Sequence, residues 1–275
     1  MNLEHFISKE QKNTAEQMPV LFIGHGSPMN AIEDNQFSKK WREVAKTLPS
    51  PKAILCISAH WETAGTLVTA MKNPVTIHDF GGFPPELYQM QYPAPGSSWL
   101  AGETRNAITS MSVKNDEQWG LDHGCWSVLI QMYPEANIPV VQLSLDYTKA
   151  AQYHYDLAKE LAPLRTKGVL IIGSGNMVHN LRRIKMTGDD FNAPFGFDWA
   201  IEANDLFKNF INENNHYKLI KYESLGDAVE LAIPTPEHYL PMLYALALRR
   251  EHEQIEYFND QPVAGSLTMT SFRIG

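Results

Sequence analysis

Cysteine is scarce in this 275-residue chain, with only Cys56 and Cys125 present. Both stand in apolar segments and lack the paired spacing of a metal or redox site. They read as buried, reduced thiols, and a disulfide scaffold is excluded. Long apolar runs are missing too. No stretch approaches ~18 apolar residues, so no membrane span is expected. The polar, acid-bearing start MNLEHFISKEQKNTAEQ lacks the apolar run of a signal peptide, and a cytoplasmic location is the expectation. Positive charge is in deficit, 23 Lys plus Arg against 31 Asp plus Glu, a formal −8. Nucleic-acid and anionic-membrane binding both rest on basic patches, so neither partner is expected. Common cofactor motifs are absent as well. GSGN at 173–176 fails the dinucleotide fingerprint because Val178 stands where its last glycine belongs. No phosphate-loop GKS or GKT, no GxSxG elbow and no CxxC occurs.

What is present is a globular composition, 44% hydrophobic and 20% charged, which excludes disorder, collagen and coiled coil. Residues 1–16 read as a mobile arm and 17–275 as a single domain. Strands are expected at 19–23, 53–59, 66–70, 75–77, 138–145, 169–172 and 266–274. VLFI, AILCISA and VLII are apolar without alternation, the pattern of strands buried on both faces of a parallel sheet. Helices are expected at 36–47, 99–110, 126–132, 149–164, 199–212, 226–231 and 239–250, the fourth capped by Thr148. The alternation predicts an α/β fold, a mostly parallel central sheet with helices on both faces. Residues 79–98, DFGGFPPELYQMQYPAPGSS, form the longest irregular stretch. Its four aromatics argue for a lid or pocket wall rather than a disordered loop.

Ten histidines are the most informative feature. Ligands of open α/β sheets bind outside the carboxyl ends of the strands. His25 follows VLFI, His60 follows AILCISA, and His179 lies seven residues beyond VLII. One such histidine is ordinarily a core residue bonded to a carbonyl. Three at equivalent strand ends point instead to a metal or acid–base cluster. His123, in WGLDHGCW, precedes an apolar helical run. His238, in PTPEHYLP, is expected in the first turn of a helix, where the cationic form is disfavoured. His78 opens the long loop as a candidate pocket residue. His5, His154, His216 and His252 read as solvated.

The stretches LFIGHGSPMNAIEDN, ISAHWET, TIHDFGGFPPELYQMQYPAPGS, WGLDHGCWSVLIQMYP, IPVVQLSLD, GSGNMVHNLR and PTPEHYLPMLYALA together resemble the class III extradiol ring-cleavage dioxygenases, and among them the 4,5-DOPA dioxygenase extradiol group. The likeness runs from about Pro19 to Ala247. It implies one divalent metal per chain held by His25, His60 and His238, with His179 a further ligand or a base. It implies acid–base work by His123, and an aromatic diol such as L-DOPA opened with O2. His78, Phe80, Phe83 and Tyr92 become candidate substrate contacts. The wider class uses two His and one Glu, whereas here His238 takes the carboxylate position, with Glu237 beside it. An all-imidazole set suits zinc as well as iron: Zn(2+) is expected in purified protein, Fe(2+) for ring cleavage. A zinc-dependent hydrolase built on the same histidines is the alternative.

Overall fold

The apolar runs become the three central strands of a six-stranded sheet in the computed structural model, which describes residues 17–275. We number its strands β1 (Val20–Gly24), β2 (Ala53–Ser58), β3 (Val140–Gln142), β4 (Val169–Gly175), β5 (Ile255–Phe258) and β6 (Ser271–Ile274). Their order is β3-β2-β4-β1-β6-β5. The first four are parallel, while β6 and β5 add an antiparallel edge.

Alternate residues of each strand supply two cores, as the pleat requires. Val20, Phe22, Leu55, Ile57 and Ile171 face one; Leu21, Ile23, Ile54, Cys56 and Ile172 face the other. Helices α1 (Gln36–Thr47) and α2 (His123–Met132) cover the second face with Phe37, Trp41, Trp126 and Leu129. Helices α3 (Ala151–Glu160), α4 (Asp198–Asn212) and α5 (Leu240–Ala247) cover the first. The start of α1 is fixed by a reciprocal cap in which Asn35 accepts from the Ser38 backbone and Ser38 Oγ accepts from the Asn35 backbone. Helix α5 is buried around its whole circumference from Leu240 to Leu246, which explains its uniformly apolar sequence. At the opposite edge of the sheet from the strand ends discussed below, buried Arg165 donates to the carbonyls of Met18 and Leu248, each at 2.8 Å, and pairs with Glu253. That guanidinium stitches the start of β1 to the chain ahead of β5.

Several expectations need correction. The arm expected at 1–16, with His5, lies outside the described residues. The expected helix 149–164 is two, Ala151–Glu160 and Ala162–Thr166, because Pro163 lacks the N–H needed to continue a ladder. Thr148 does not cap it; its hydroxyl donates to Asp146, and Ala150 holds the cap position without a side-chain bond. Residues 75–77 make only a bridge from Thr76 to Leu121. The expected strand 138–145 splits, Leu145–Asp146 leaving the main sheet to pair with Glu62–Thr63. Leu67–Thr69 likewise pairs outside it, with Lys114–Asp116. The expected strand 266–274 is interrupted: Leu267–Thr268 pairs with Pro262–Val263 and only Ser271–Ile274 joins the sheet. Edge strand β5 went unpredicted, since its polar flanks and exposed Glu256 hide an edge in a charged run.

His154, expected to be solvated, is fully buried with Nδ1 3.1 Å from the Tyr244 hydroxyl. His216 is half-buried, with Nδ1 2.7 Å from the Tyr155 hydroxyl. Among the described residues of that group, only His252 is exposed as expected. Burial lowers the His154 pKa to about 4. The unfolded chain, with an ordinary histidine pKa near ~6.5, then binds more protons than the native state at intermediate pH. Stability should therefore fall as pH drops from about 6.5 towards 4, and His154 should account for roughly 3 kcal/mol of the loss. Urea midpoints across that range should decline less steeply in His154→Leu than in the parent protein; equal slopes would remove His154 from the acid transition.

Candidate active site and metal centre

Parallel pairing brings the strand ends to one level. Gly24 closing β1 lies beside Gly175 of β4, and Ser58 closing β2 beside Ser174. His25 is the residue after β1, and its N–H donates to the Gly175 carbonyl at 3.0 Å. Gly26 then turns the chain at φ +59°, a conformation glycine adopts without strain. His60 lies two residues past β2. His238 stands in the turn just before α5 rather than in its first turn, with the Asn176 N–H donating to its carbonyl at 2.9 Å. That contact needs Gly175, where a Cβ would fall 2.1 Å from the His238 oxygen. The glycines of GSGN thus admit a neighbouring backbone and do not cradle a phosphate.

His123 opens α2, whose cap is Asp122. His179 completes a group of five imidazoles. Ring centroids of His25, His60 and His238 lie 4.9 to 5.4 Å apart, and His123 is 3.8 Å from His60. The structure therefore brings together His25, His60, His123, His179 and His238.

Hydrogen bonding assigns their tautomers. Ser174 Oγ donates to the Gly124 carbonyl, so it accepts from His25 Nδ1 at 3.0 Å. His238 Nδ1 donates to Glu237 at 3.2 Å. Asp79 accepts from His123 Nδ1 at 3.0 Å, and His60 Nδ1 lies 3.4 Å from the same carboxylate without a hydrogen bond. With their protons committed to Nδ1, the Nε2 atoms of His25 and His238 are left as lone pairs. His60 Nε2 lies 3.1 Å from His25 Nε2. With His60 as the donor that contact is a hydrogen bond; with both nitrogens as acceptors it calls for a cation between them. The spacing is close to the ~3.3 Å expected for two nitrogens ~2.05 Å from one tetrahedral ion. The three ring planes cross at 49° to 87°, so their in-plane lone pairs can meet at a point. This donor set fits a single divalent metal, its rings oriented from behind as metal-bound histidines usually are.

His179 differs. Its ring stacks on His238 at 3.5 Å with only 9° between the planes. Lone pairs lie in the ring plane, and two nearly parallel planes do not converge on one ion. Donor atoms of His25, His60 and His123 lie within 4.8 Å of one another, and so do those of His179, Glu237 and His238, the second group carrying the stacked pair.

Burial, helped by the neighbouring imidazoles, holds His25 and His238 well below the usual histidine range, His60 near about 3 and His179 near about 4. Neutral rings are the metal-binding form. Asp79 shows the opposite balance. Burial tends to raise its pKa, yet the hydrogen bond and charge of His123 hold it below the usual carboxylate range. Asp122 is fully buried and raised by burial and by Asp79, while accepting from Ser58, Gln142 and the Cys125 N–H.

Asp79 was missed by sequence reasoning, which singled out its neighbour His78. The available signal was an acidic residue opening a glycine-rich loop before FGGF. Its carboxylate accepts from both the backbone N–H and Nδ1 of His123, fastening loop to helix. Ser174 was hidden in the same way, as a small polar residue in an apolar strand.

The histidines open into a cavity of about 510 Å³ whose walls include Phe80 and Phe83. Two expected substrate contacts lie elsewhere. Tyr92 is buried, its hydroxyl donating to the Tyr133 carbonyl at 3.0 Å, so it packs the loop against the body. His78 sits behind Phe80, with Nε2 2.9 Å from the Met90 carbonyl.

Residues 19–263 match the family described as the catalytic LigB subunit of aromatic ring-opening dioxygenase, and the chain belongs to that family. Its relatives narrow the class. The 4,5-DOPA dioxygenase extradiol of Escherichia coli (strain K12) is 45% identical over 265 residues, 95% of this chain and 96% of that protein. The protein of the same name from Beta vulgaris is 39% identical over 259 residues, 92% and 94% of the two. The crystal structure of an uncharacterized protein from Escherichia coli K12 superposes with a TM-score of 0.79 at 41% identity, covering 94% of this chain and all of that one. The chain is an extradiol-type dioxygenase with the fold that its sequence predicted.

Asp79→Asn should turn the His123 proton around, because an amide offers N–H where the carboxylate accepted. Nitrogen-15 shifts of His123 should report protonated Nε2 in the variant and protonated Nδ1 in the parent, with ring-opening slowed ~10²-fold or more. An unchanged tautomer would show that Asp79 does not orient His123.

Proposed function

We propose that the protein opens an aromatic diol, L-DOPA or a related catechol, in the 4,5-extradiol manner with O2 at one ion held by His25, His60 and His238. The observation that supports this reading is the grouping of the three rings, with centroids 4.9 to 5.4 Å apart and the Nε2 atoms of His25 and His60 3.1 Å apart. A bound divalent ion supplies a Lewis-acid anchor for both catechol oxygens and, as Fe(2+) though not as Zn(2+), redox access to O2.

The chain's own residues do the rest. His179, neutral and stacked beside a ligand ring, is placed to take a proton from a catechol hydroxyl. His123 lines the cavity while Asp79 holds its Nδ1–H, and so is suited to pass a proton through Nε2 to an oxygen of the reacting diol. Phe80 lies edge-on to His123 at 5.6 Å, giving the diol ring an apolar wall. Apart from residues 1–16, no helix is long and apolar enough to cross a membrane.

Alanine in place of His25, His60 or His238 should lower bound metal well below one per chain while circular dichroism stays native; full metal in all three would refute the ligand set. His179→Ala should keep its metal and lose turnover. Loss of metal instead would make His179 a ligand.

His123→Ala should keep its metal and bind catechol, yet turn over at least ~10²-fold more slowly. Protein purified in air should contain mostly zinc and consume almost no O2. Anaerobic stripping and reloading with Fe(2+) should restore oxygen uptake with L-DOPA and a yellow ring-opened product. A reloaded protein inert towards a broad catechol panel, with a zinc form that hydrolyses another substrate, would establish the hydrolase.

A further inference from the structure

The cavity changes character away from its histidines. Its outer wall is built by Met29, Phe83, Leu181, Ile184 and Phe191. Leu181 is 59% exposed and Ile184 40%, a large apolar surface for residues at the rim of an enzyme cavity. Two nearby charges are turned elsewhere. Arg182 and Arg183 lie between these two residues in sequence, yet line a separate cavity of about 570 Å³ together with Asp227 and Glu230. Among the described residues lining the active-site cavity there is no Lys or Arg, and the one carboxylate is Asp79. A carboxylate carried on the diol ring would meet no cation there and would share the space with an anion.

We infer that this site selects catechols whose ring substituent is uncharged and apolar, a short alkyl or alkenyl chain lying along Leu181, Ile184 and Phe191. The inference rests on the catechol-opening reading and narrows it: L-DOPA enters, but its zwitterionic end gains nothing from the wall. An apolar chain leaves water at each methylene, which is worth roughly two- to fourfold in affinity per group at a partly open rim. A charged end must either keep its water and forgo the wall or lose hydration without a partner. Leu181 and Ile184 are therefore specificity-determining residues, positioned by the short helical turn Leu181–Arg183 directly after His179.

The test uses zinc-loaded protein, which binds without turnover, titrated calorimetrically with catechol, 4-methyl-, 4-ethyl- and 4-propylcatechol, 3-(3,4-dihydroxyphenyl)propionate and L-DOPA. Kd should fall two- to fourfold per added carbon, with an increasingly negative heat-capacity change. The propionate and L-DOPA should bind at least tenfold more weakly than propylcatechol. Leu181→Arg, at an exposed position, should reverse the order of propylcatechol and the propionate. A flat alkyl series, or a propionate or L-DOPA that binds as tightly as propylcatechol, overturns the inference while leaving catechol opening intact. An order unchanged in Leu181→Arg removes Leu181 from the specificity wall. Failure of every catechol, the parent compound included, to bind the metal-loaded protein overturns the underlying reading itself.

Discussion

Everything at the cavity depends on the parallel register that sets the ends of β1, β2 and β4 level. Gly24 against Gly175 and Ser58 against Ser174 fix where three chain segments leave the sheet. A register slip of one residue would move a histidine by over 3 Å and turn its side chain to the other face. The strands are held against such a slip by burial on both faces, since every residue of β1, β2 and β4 is shielded. The grouping of the histidines is thus a by-product of core packing.

The price of this arrangement is a cluster of imidazoles packed close together and largely shielded. Burying neutral rings is tolerable, whereas burying their cations is not, and the lowered pKa values of His25, His60, His179 and His238 express that difference. The rings of His25 and His238 are oriented by residues of different kinds, a strand serine and an adjacent glutamate. Asp79 stands beside two rings at once, bonded to His123 and 3.4 Å from His60. Asp122 anchors the same helix start from behind through Ser58 and Gln142, so α2 cannot shift without breaking buried charge-assisted bonds.

The long loop is fastened more firmly than its composition implies. Trp126 Nε1 donates to the Ile77 carbonyl, the Tyr92 hydroxyl reaches Tyr133, and Asp79 holds both ends of the His123 contact. Its aromatics divide accordingly. Phe80 and Phe83 face the cavity, and Tyr92 pins the far end. Spacing along the loop gave no way to tell these roles apart, because irregular backbone has no period from which the direction of a side chain can be read.

The sequence by itself determined the layers, the buried strands and the histidines at their ends. Unalternating apolar runs followed by glycine and histidine have few other uses, and α1 was read at its observed bounds because its cap and amphipathic pattern are local. Tertiary structure alone decided what no local pattern encodes. It placed His238 in a turn ahead of its helix, buried His154 beneath Tyr244, and brought Asp79 to His123 across 44 residues. It also turned His179 flat against His238, a relation between two ring planes. Propensity acts within a few residues of chain, whereas a hydrogen-bonded tautomer or a stacked ring depends on segments that only folding makes neighbours.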